Sequence, residues 1–247
     1  MQIIKKIAER SQNPRKERIP TIAFFGDSVT QGCFEVYTTS QGTVETIYDK
    51  KHAYHQYVFQ VFTHLFPNVP INIVNAGISG DTADQALERL QRDVLDYKPD
   101  LTVVCFGLND SAAGLDGIER YKKSLDIIFK QLNRNNSEII YMTANMMNTR
   151  LSNQIHDERL KAIAINCMQR QNDGILKAYF DAGKKIAREN GVKICDVYAK
   201  WEAMHKQGVD ITGLLANNIN HPKRELNWLF TAELINVMFS TKADDLQ

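Results

Sequence analysis

Five short apolar runs recur along the chain, at residues 21–25, 71–75, 101–106, 138–143 and 192–197, each rich in β-branched or aromatic side chains. Segments such as IAFF, LTVVCF and EIIYM are almost continuously apolar, as strands become when both faces of a sheet are covered, so they predict a parallel sheet. Between them the period lengthens. Ala83, Leu87, Leu90 and Val94 are spaced 4, 3 and 4 apart, and Ile118, Tyr121, Leu125, Ile128 and Leu132 are spaced 3, 4, 3 and 4 apart. Those are the stripes of amphipathic helices. A further helical stretch covers 158–190 with Gly191 as its stop, and Leu226, Leu229, Phe230, Glu233, Leu234 and Val237 predict a closing helix after Pro222. Parallel neighbours need crossover helices, so the alternation predicts an α/β fold. Its form is a single three-layer α/β/α domain over residues 21–240, built on a five-stranded, mainly parallel sheet. Residues 1–20 read as a surface helix and linker, and 241–247 as a C-terminal tail. Residues 34–57 follow the first strand without clear periodicity and read as an ordered insertion over the sheet edge.

Composition narrows the class of function. With 247 residues, 43% hydrophobic and 24% charged, the chain is globular, and disordered, collagenous and fibrous classes are excluded. Its 30 basic and 29 acidic side chains leave a net charge of +1, without the basic balance of a protein that grips phosphate backbones, so no nucleic-acid partner is expected. Ile3, Ile4, Ile7 and Ile19 are interleaved with Lys5, Lys6, Arg10, Arg15, Lys16 and Arg18, which breaks any apolar stretch of the signal-peptide kind. A peripheral anchor is the other reading of that segment, and no later run predicts a membrane span. Cys33, Cys105, Cys167 and Cys195 form no close pair, and two of them lie within strand runs. Neither a zinc site nor a disulfide framework is expected, and the setting these features predict is a reducing cytoplasm.

In an open α/β sheet, ligands meet the loops at the carboxyl ends of the strands. There the chain carries Gly26-Asp27-Ser28 after the first strand, Asn75-Ala76-Gly77-Ile78-Ser79-Gly80-Asp81 after the second and Gly107-Leu108-Asn109-Asp110 after the third. A fourth element, Asn217-Asn218-Ile219-Asn220-His221-Pro222, precedes the closing helix. His52, His55 and His64 have no carboxylate or cysteine pattern to complete a metal site. No G-x-G-x-x-G or G-x-x-x-x-G-K-[ST] is present, so no cofactor is expected, and Gly26 to Thr30 does not fit the G-x-S-x-G elbow.

These blocks, in order over residues 22–222, resemble the SGNH hydrolases, also called the GDSL esterase/lipase family. The resemblance implies a flavodoxin-like SGNH hydrolase fold and a serine esterase for small-molecule esters. Ser28 matches the nucleophile, and His221 the base that takes its proton and returns it to the leaving alkoxide. The oxyanion donors match the backbone N–H groups of Ser28 and Gly80 and the side-chain amide of Asn109. Asp27 and Asp110 read as loop-holding residues. The family has an aspartate three positions before its histidine, where this chain has Asn218, which can accept from the ring but carries no charge. The alternatives for orienting His221 are a backbone carbonyl in residues 217–220, or Asp210 or Asp196 brought in by the fold. Phe34, Tyr37 and Tyr54 are candidates for the pocket wall, and Phe59, Phe62 and Phe66 for the core. The expected substrate is a short acyl ester, such as an acetyl group on a carbohydrate. The other readings are a ligand-binding or sensing protein with weakened chemistry, and an acyltransferase using the same residues.

Overall fold

The computed structural model describes residues 1–240, and the expected tail at 241–247 lies outside the described residues. Its strands are β1 (Thr21–Gly26), β2 (Cys33–Thr38), β3 (Val44–Tyr48), β4 (Asn72–Gly77), β5 (Leu101–Cys105), β6 (Glu138–Thr143) and β7 (Lys193–Asp196). Five of them form one parallel sheet in the order β4-β1-β5-β6-β7. Strand order reverses at β1, between β4 and β5, and that switch point opens a crevice at the carboxyl ends of these strands. Side chains alternate across β1: Ile22 and Phe24 enter one apolar cluster, Ala23 and Phe25 the other.

The helices are α1 (Gln2–Gln12), α2 (Ser28–Gln31), α3 (Tyr54–Leu65), α4 (Ala83–Ala86), α5 (Leu90–Asp93), α6 (Ile118–Arg134), α7 (Glu158–Asn172), α8 (Ile175–Glu189), α9 (Val197–Lys206) and α10 (Asn227–Phe239). Ile3 and Ile7 of α1, Tyr54, Val58 and Phe62 of α3 and Phe230 and Leu234 of α10 pack on one side of the sheet. Leu90, Leu125, Ile128 and Ala187 pack on the other. The layers are those the alternation predicts.

Three segments differ from expectation. Residues 1–20 are more than a surface helix and linker. Ile3 and Ile7 of α1 are fully buried, Glu138 caps the helix by accepting from the N–H groups of Gln2 (2.8 Å) and Ile3 (2.7 Å), and Lys6 reaches Asp100 at 2.7 Å. The stretch 158–190 is split into α7 and α8 at Gly174, whose φ of 74° is left-handed and ends the helical run. Residues 34–57 are a β2–β3 hairpin, a 3-10 turn at Lys50–His52 and the start of α3, and the hairpin walls the carboxyl-end crevice where an edge cover was expected. It closes between Thr39 and Thr43, whose hydroxyls lie 2.7 Å apart, and Arg159 of α7 donates to Gly42 O at its tip. No helix among the described residues is long and apolar enough to cross a membrane.

Candidate active site

The chain leaves β1 through Gly26, where a Cβ would lie 2.2 Å from Thr30 Oγ1 and 2.7 Å from Cys105 O, so only glycine lets the strand turn this tightly into α2. Asp27 caps α2 by accepting from Val29 N at 3.0 Å. Burial pushes the Asp27 carboxyl up to about 7. Ser28 is the first residue of α2, 3% exposed, and its N–H has no intrahelical acceptor.

Its hydroxyl meets a histidine that lies 193 positions further along the chain: Ser28 Oγ is 3.0 Å from His221 Nε2. The ring's other nitrogen, Nδ1, lies 2.9 Å from the backbone carbonyl of Phe34, the second residue of β2. A carbonyl only accepts, so Nδ1 carries the proton and Nε2 presents its lone pair to the serine. Burial holds His221 down at about 4, so the ring is neutral at pH 7 and free to take a proton.

Asn217 holds the histidine loop. Its Oδ1 accepts from Ile219 N (2.9 Å), Asn220 N (2.9 Å) and His221 N (3.0 Å), while its Nδ2 donates to Asn220 Oδ1 (2.9 Å). Two further bonds tie the loop to the segment after β6: Asn145 Nδ2 donates to Asn220 O at 2.9 Å, and Asn148 N to Ile219 O at 2.8 Å.

Gly80 and Asn109 complete the rim. Gly80 sits at φ 83°, a conformation that L side chains rarely adopt, and no protein acceptor engages its N–H among the described residues. Asn109 Nδ2 gives one hydrogen to Asp81 O at 2.9 Å and retains a second for a ligand. Behind this loop, Arg89 donates to Asp81 Oδ2 (2.7 Å), Ala76 O (2.7 Å) and Gly26 O (3.1 Å), which ties the ends of β1 and β4 to the turn presenting Gly80. Ser28, Gly80, Asn109 and His221 border one cavity of about 170 Å³, whose apolar wall is Val36, Val44, Leu160, Ile163 and Ile219. A second depression of about 550 Å³ shares Ser79 and Gly80 with it, and carries Gln85, Glu88 and Arg92 on its walls.

The GDSL-like Lipase/Acylhydrolase family matches this chain over residues 24–228, which span every element of the site. The chain belongs to this family. An acetylxylan esterase of Geobacillus stearothermophilus is 32% identical over 89 residues, or 36% of this chain and 39% of that protein. An uncharacterized lipoprotein of Bacillus subtilis is 45% identical over 53 residues, 22% of each chain. The chain thus matches well under half the length of these two relatives. The crystal structure of the Geobacillus acetylxylan esterase superposes with a TM-score of 0.64 at 21% identity, covering 90% of this chain and 95% of that one. An alpha/beta hydrolase from the metagenome of Lake Arreo superposes with the same TM-score, 0.64, at 19% identity over 88% and 94%. At such identities the superpositions establish the fold. Catalytic mutants of the Geobacillus enzyme carry replacements of a serine, an aspartate and a histidine, the last two three positions apart.

In this GDSL-family chain the corresponding spacing leads to Asn218, and there the structure corrects expectation. Asn218 does not meet the histidine: it takes the left-handed φ of 56°, and its Nδ2 donates to Gln154 Oε1 at 3.2 Å. The expected kind of substitute, a backbone carbonyl, is present, but from Phe34 and not from residues 217–220. Asp210 pairs with Arg150 at 2.5 Å, and Asp196 caps α9 and pairs with Lys184 at 2.8 Å, so neither serves the ring. Asp110 accepts from Ala83 N at 2.9 Å, a loop-holding bond like that of Asp27. Of the candidate wall aromatics, Tyr54 is buried against Phe230, Tyr37 is 49% exposed, and Phe34 supplies its carbonyl while its ring packs away from the cavity under Arg224. The aliphatic wall replaces them. Phe62 is buried in the core, with Phe59 and Phe66 packed against it. His52 pairs with Asp49, His55 is buried and His64 bonds Gln60 O, so the three histidines do not converge. All four cysteines are buried and free.

Sequence reasoning missed the roles of Asn217, which holds the histidine loop, and of Phe34, whose carbonyl orients the ring. The first had a signal, because an asparagine at the head of a polar loop is the residue that accepts from the N–H groups two to four positions on. A carbonyl acceptor has none.

Proposed function

We propose that this chain hydrolyses short-chain carboxylic esters, acetyl esters of polar alcohols such as carbohydrates among them, through an acyl-enzyme on Ser28. One observation carries the reading: Ser28 Oγ lies 3.0 Å from a neutral, buried His221 Nε2 whose other nitrogen is anchored. Ser28 Oγ attacks the ester carbonyl carbon as its proton passes to Nε2. The C–O bond to the alcohol then breaks, and Nε2 returns the proton to the departing alkoxide. Water, deprotonated by Nε2, attacks the acyl carbon next, and the acid leaves as the proton goes back to Ser28 Oγ. The Ser28 and Gly80 N–H groups and Asn109 Nδ2 serve the oxyanion, each donor worth about 3–4 kcal/mol of transition-state stabilisation.

Size and polarity support the substrate class. The 170 Å³ cavity with its aliphatic wall suits a short acyl group, and the polar depression beyond Gly80 suits a hydroxyl-rich alcohol. The Geobacillus relative, an acetylxylan esterase, is consistent with such an alcohol. A binding protein with weakened chemistry presupposes that His221 depends on Asn218, whereas Nδ1 has another acceptor. Transfer to an alcohol acceptor would use the same steps, and product analysis with added acceptors separates it from hydrolysis.

The test is turnover of p-nitrophenyl acetate, butyrate and octanoate by the native chain and by Ser28→Ala. The expected result is acetate and butyrate hydrolysis that disappears in Ser28→Ala, with kcat/KM constant across neutral pH and falling in acid through about pH 4, as His221 takes its proton. Wild-type turnover in Ser28→Ala would refute the assignment, and faster turnover of octanoate would refute the short acyl group.

A further inference from the structure

His221 lacks a carboxylate on Nδ1, yet carboxylates gather one peptide away. Glu35 follows the residue whose carbonyl holds the ring. Arg224 grips it with two bonds, Nη1 to Oε1 at 2.6 Å and Nη2 to Oε2 at 3.0 Å, while its Nε donates to Asp49 Oδ2 at 2.8 Å. The guanidinium carbon of Arg224 also lies 4.4 Å from the centre of the Phe34 ring. Arg224 stands three residues after His221, so the links close on themselves. From His221 they pass to the Phe34 carbonyl, through the peptide to Glu35, across to Arg224 and back along the chain to His221.

We propose that the Arg224–Glu35–Asp49 cluster is the positioning device of His221, holding the Phe34 carbonyl against Nδ1 and supplying, from one residue further out, the negative charge that the family's aspartate would carry. Two consequences follow from the geometry. The fork of Arg224 fixes the β2 backbone relative to the histidine loop, since a planar bidentate pair resists rotation. The cluster also holds two carboxylates against one guanidinium, so an imidazolium forming at His221 faces a net negative group. The field of Glu35 acts on His221 in that direction, opposing the effect of burial. The other charged groups near the cluster are His52, which pairs with Asp49 at 2.7 Å, Lys50 and Lys51 of the same turn, and Lys223 and Glu225 beside Arg224, while Asp27 lies on the nucleophile side.

This inference rests on Ser28 and His221 being the reacting pair, and its test separates the two. In the full chain, Glu35→Gln, Arg224→Gln and Arg224→Lys are compared with wild type and Ser28→Ala for kcat and KM on p-nitrophenyl acetate, for thermal midpoint, and for the His221 titration by imidazole nitrogen NMR. The expected kcat loss is on the order of tenfold in each cluster variant, with KM within about twofold, because the acceptor for Nδ1 loosens while the cavity keeps its walls. The His221 titration should move in opposite directions, to lower pH in Glu35→Gln, which removes a negative charge, and to higher pH in Arg224→Gln, which leaves both carboxylates without the guanidinium. Arg224→Lys should restore the titration but not kcat, since the charge returns without the fork. A merely structural role would lower the thermal midpoint without this opposition of sign. If Ser28→Ala is inactive while the cluster variants keep wild-type kcat and an unmoved His221, the cluster proposal falls and the esterase stands. If Ser28→Ala remains active, the esterase reading falls, and the NMR titration still decides whether the cluster governs His221.

Discussion

Two adjacent asparagines show how little residue type says about a role until the loop is seen. Asn217 Oδ1 takes three backbone N–H groups that a tight loop cannot satisfy otherwise, whereas the Asn218 amide points to Gln154. An amide N–H left unpaired in a buried loop costs about 1–3 kcal/mol. Asn217→Ala should therefore lower both the thermal midpoint and kcat, the latter by about tenfold or more as the imidazole leaves its alignment with Ser28. Asn218→Asp should leave kcat within about twofold, because the new carboxylate would face Gln154 and not Nδ1. Steady-state kinetics with a melting curve on each variant checks both, and a large rate gain in Asn218→Asp would mean that the histidine does use that position.

At the scale of elements, the site is assembled by ties between strand ends. Arg89 is buried, stacks 4.8 Å over the Phe25 ring, and bonds Asp81, Ala76 and Gly26, so a single side chain holds the ends of β1 and β4 and the turn carrying Gly80. Removing one partner of a buried ion pair leaves the other charged and uncompensated, at a cost of about 3–5 kcal/mol. Arg89→Met should lower the unfolding free energy by that amount and cut kcat as Gly80 loses its fixed position. Urea denaturation reads the first effect, and an unchanged midpoint would show that the loop stands without the arginine.

For the whole molecule, four buried titratable groups set opposing pH dependences. The folded chain holds His55 and His221 down at about 4, below the 6.5 of an unfolded histidine. Between those values the unfolded chain binds protons that the folded one refuses, so the stabilisation is complete above 6.5 and is lost as pH falls towards 4. Asp27 and Asp110 are pushed up from 3.8 to about 7 and about 6, so the folded chain binds the extra protons there, and stability falls as pH rises through those values. Asp27→Asn keeps an acceptor for Val29 N and abolishes one of the alkaline losses. Relative to wild type, its unfolding free energy should rise steadily between about pH 4 and pH 8. A difference that does not vary with pH would mean that Asp27 ionises normally in the folded chain.

The alternation of the five sheet strands with helices, the burial of both sheet faces and the candidate residues Ser28, Gly80, Asn109 and His221 were legible in the amino-acid sequence. Apolar periodicity is a local property, and the four site residues stood out through the match of their blocks, in order, to those of a known family. The split of the 158–190 helix at Gly174, the docking of α1 and the hairpin wall came only with the structure. Each depends on which distant surface an element meets: Glu138 for the start of α1, the cavity rim for Val36 and Val44. The partner of His221 is the plainest case. The Phe34 carbonyl is chemically the same as every other carbonyl in the chain, and no residue type marks it. Only the tertiary fold, by bringing β2 across 187 positions to the histidine loop, decides which carbonyl orients the ring.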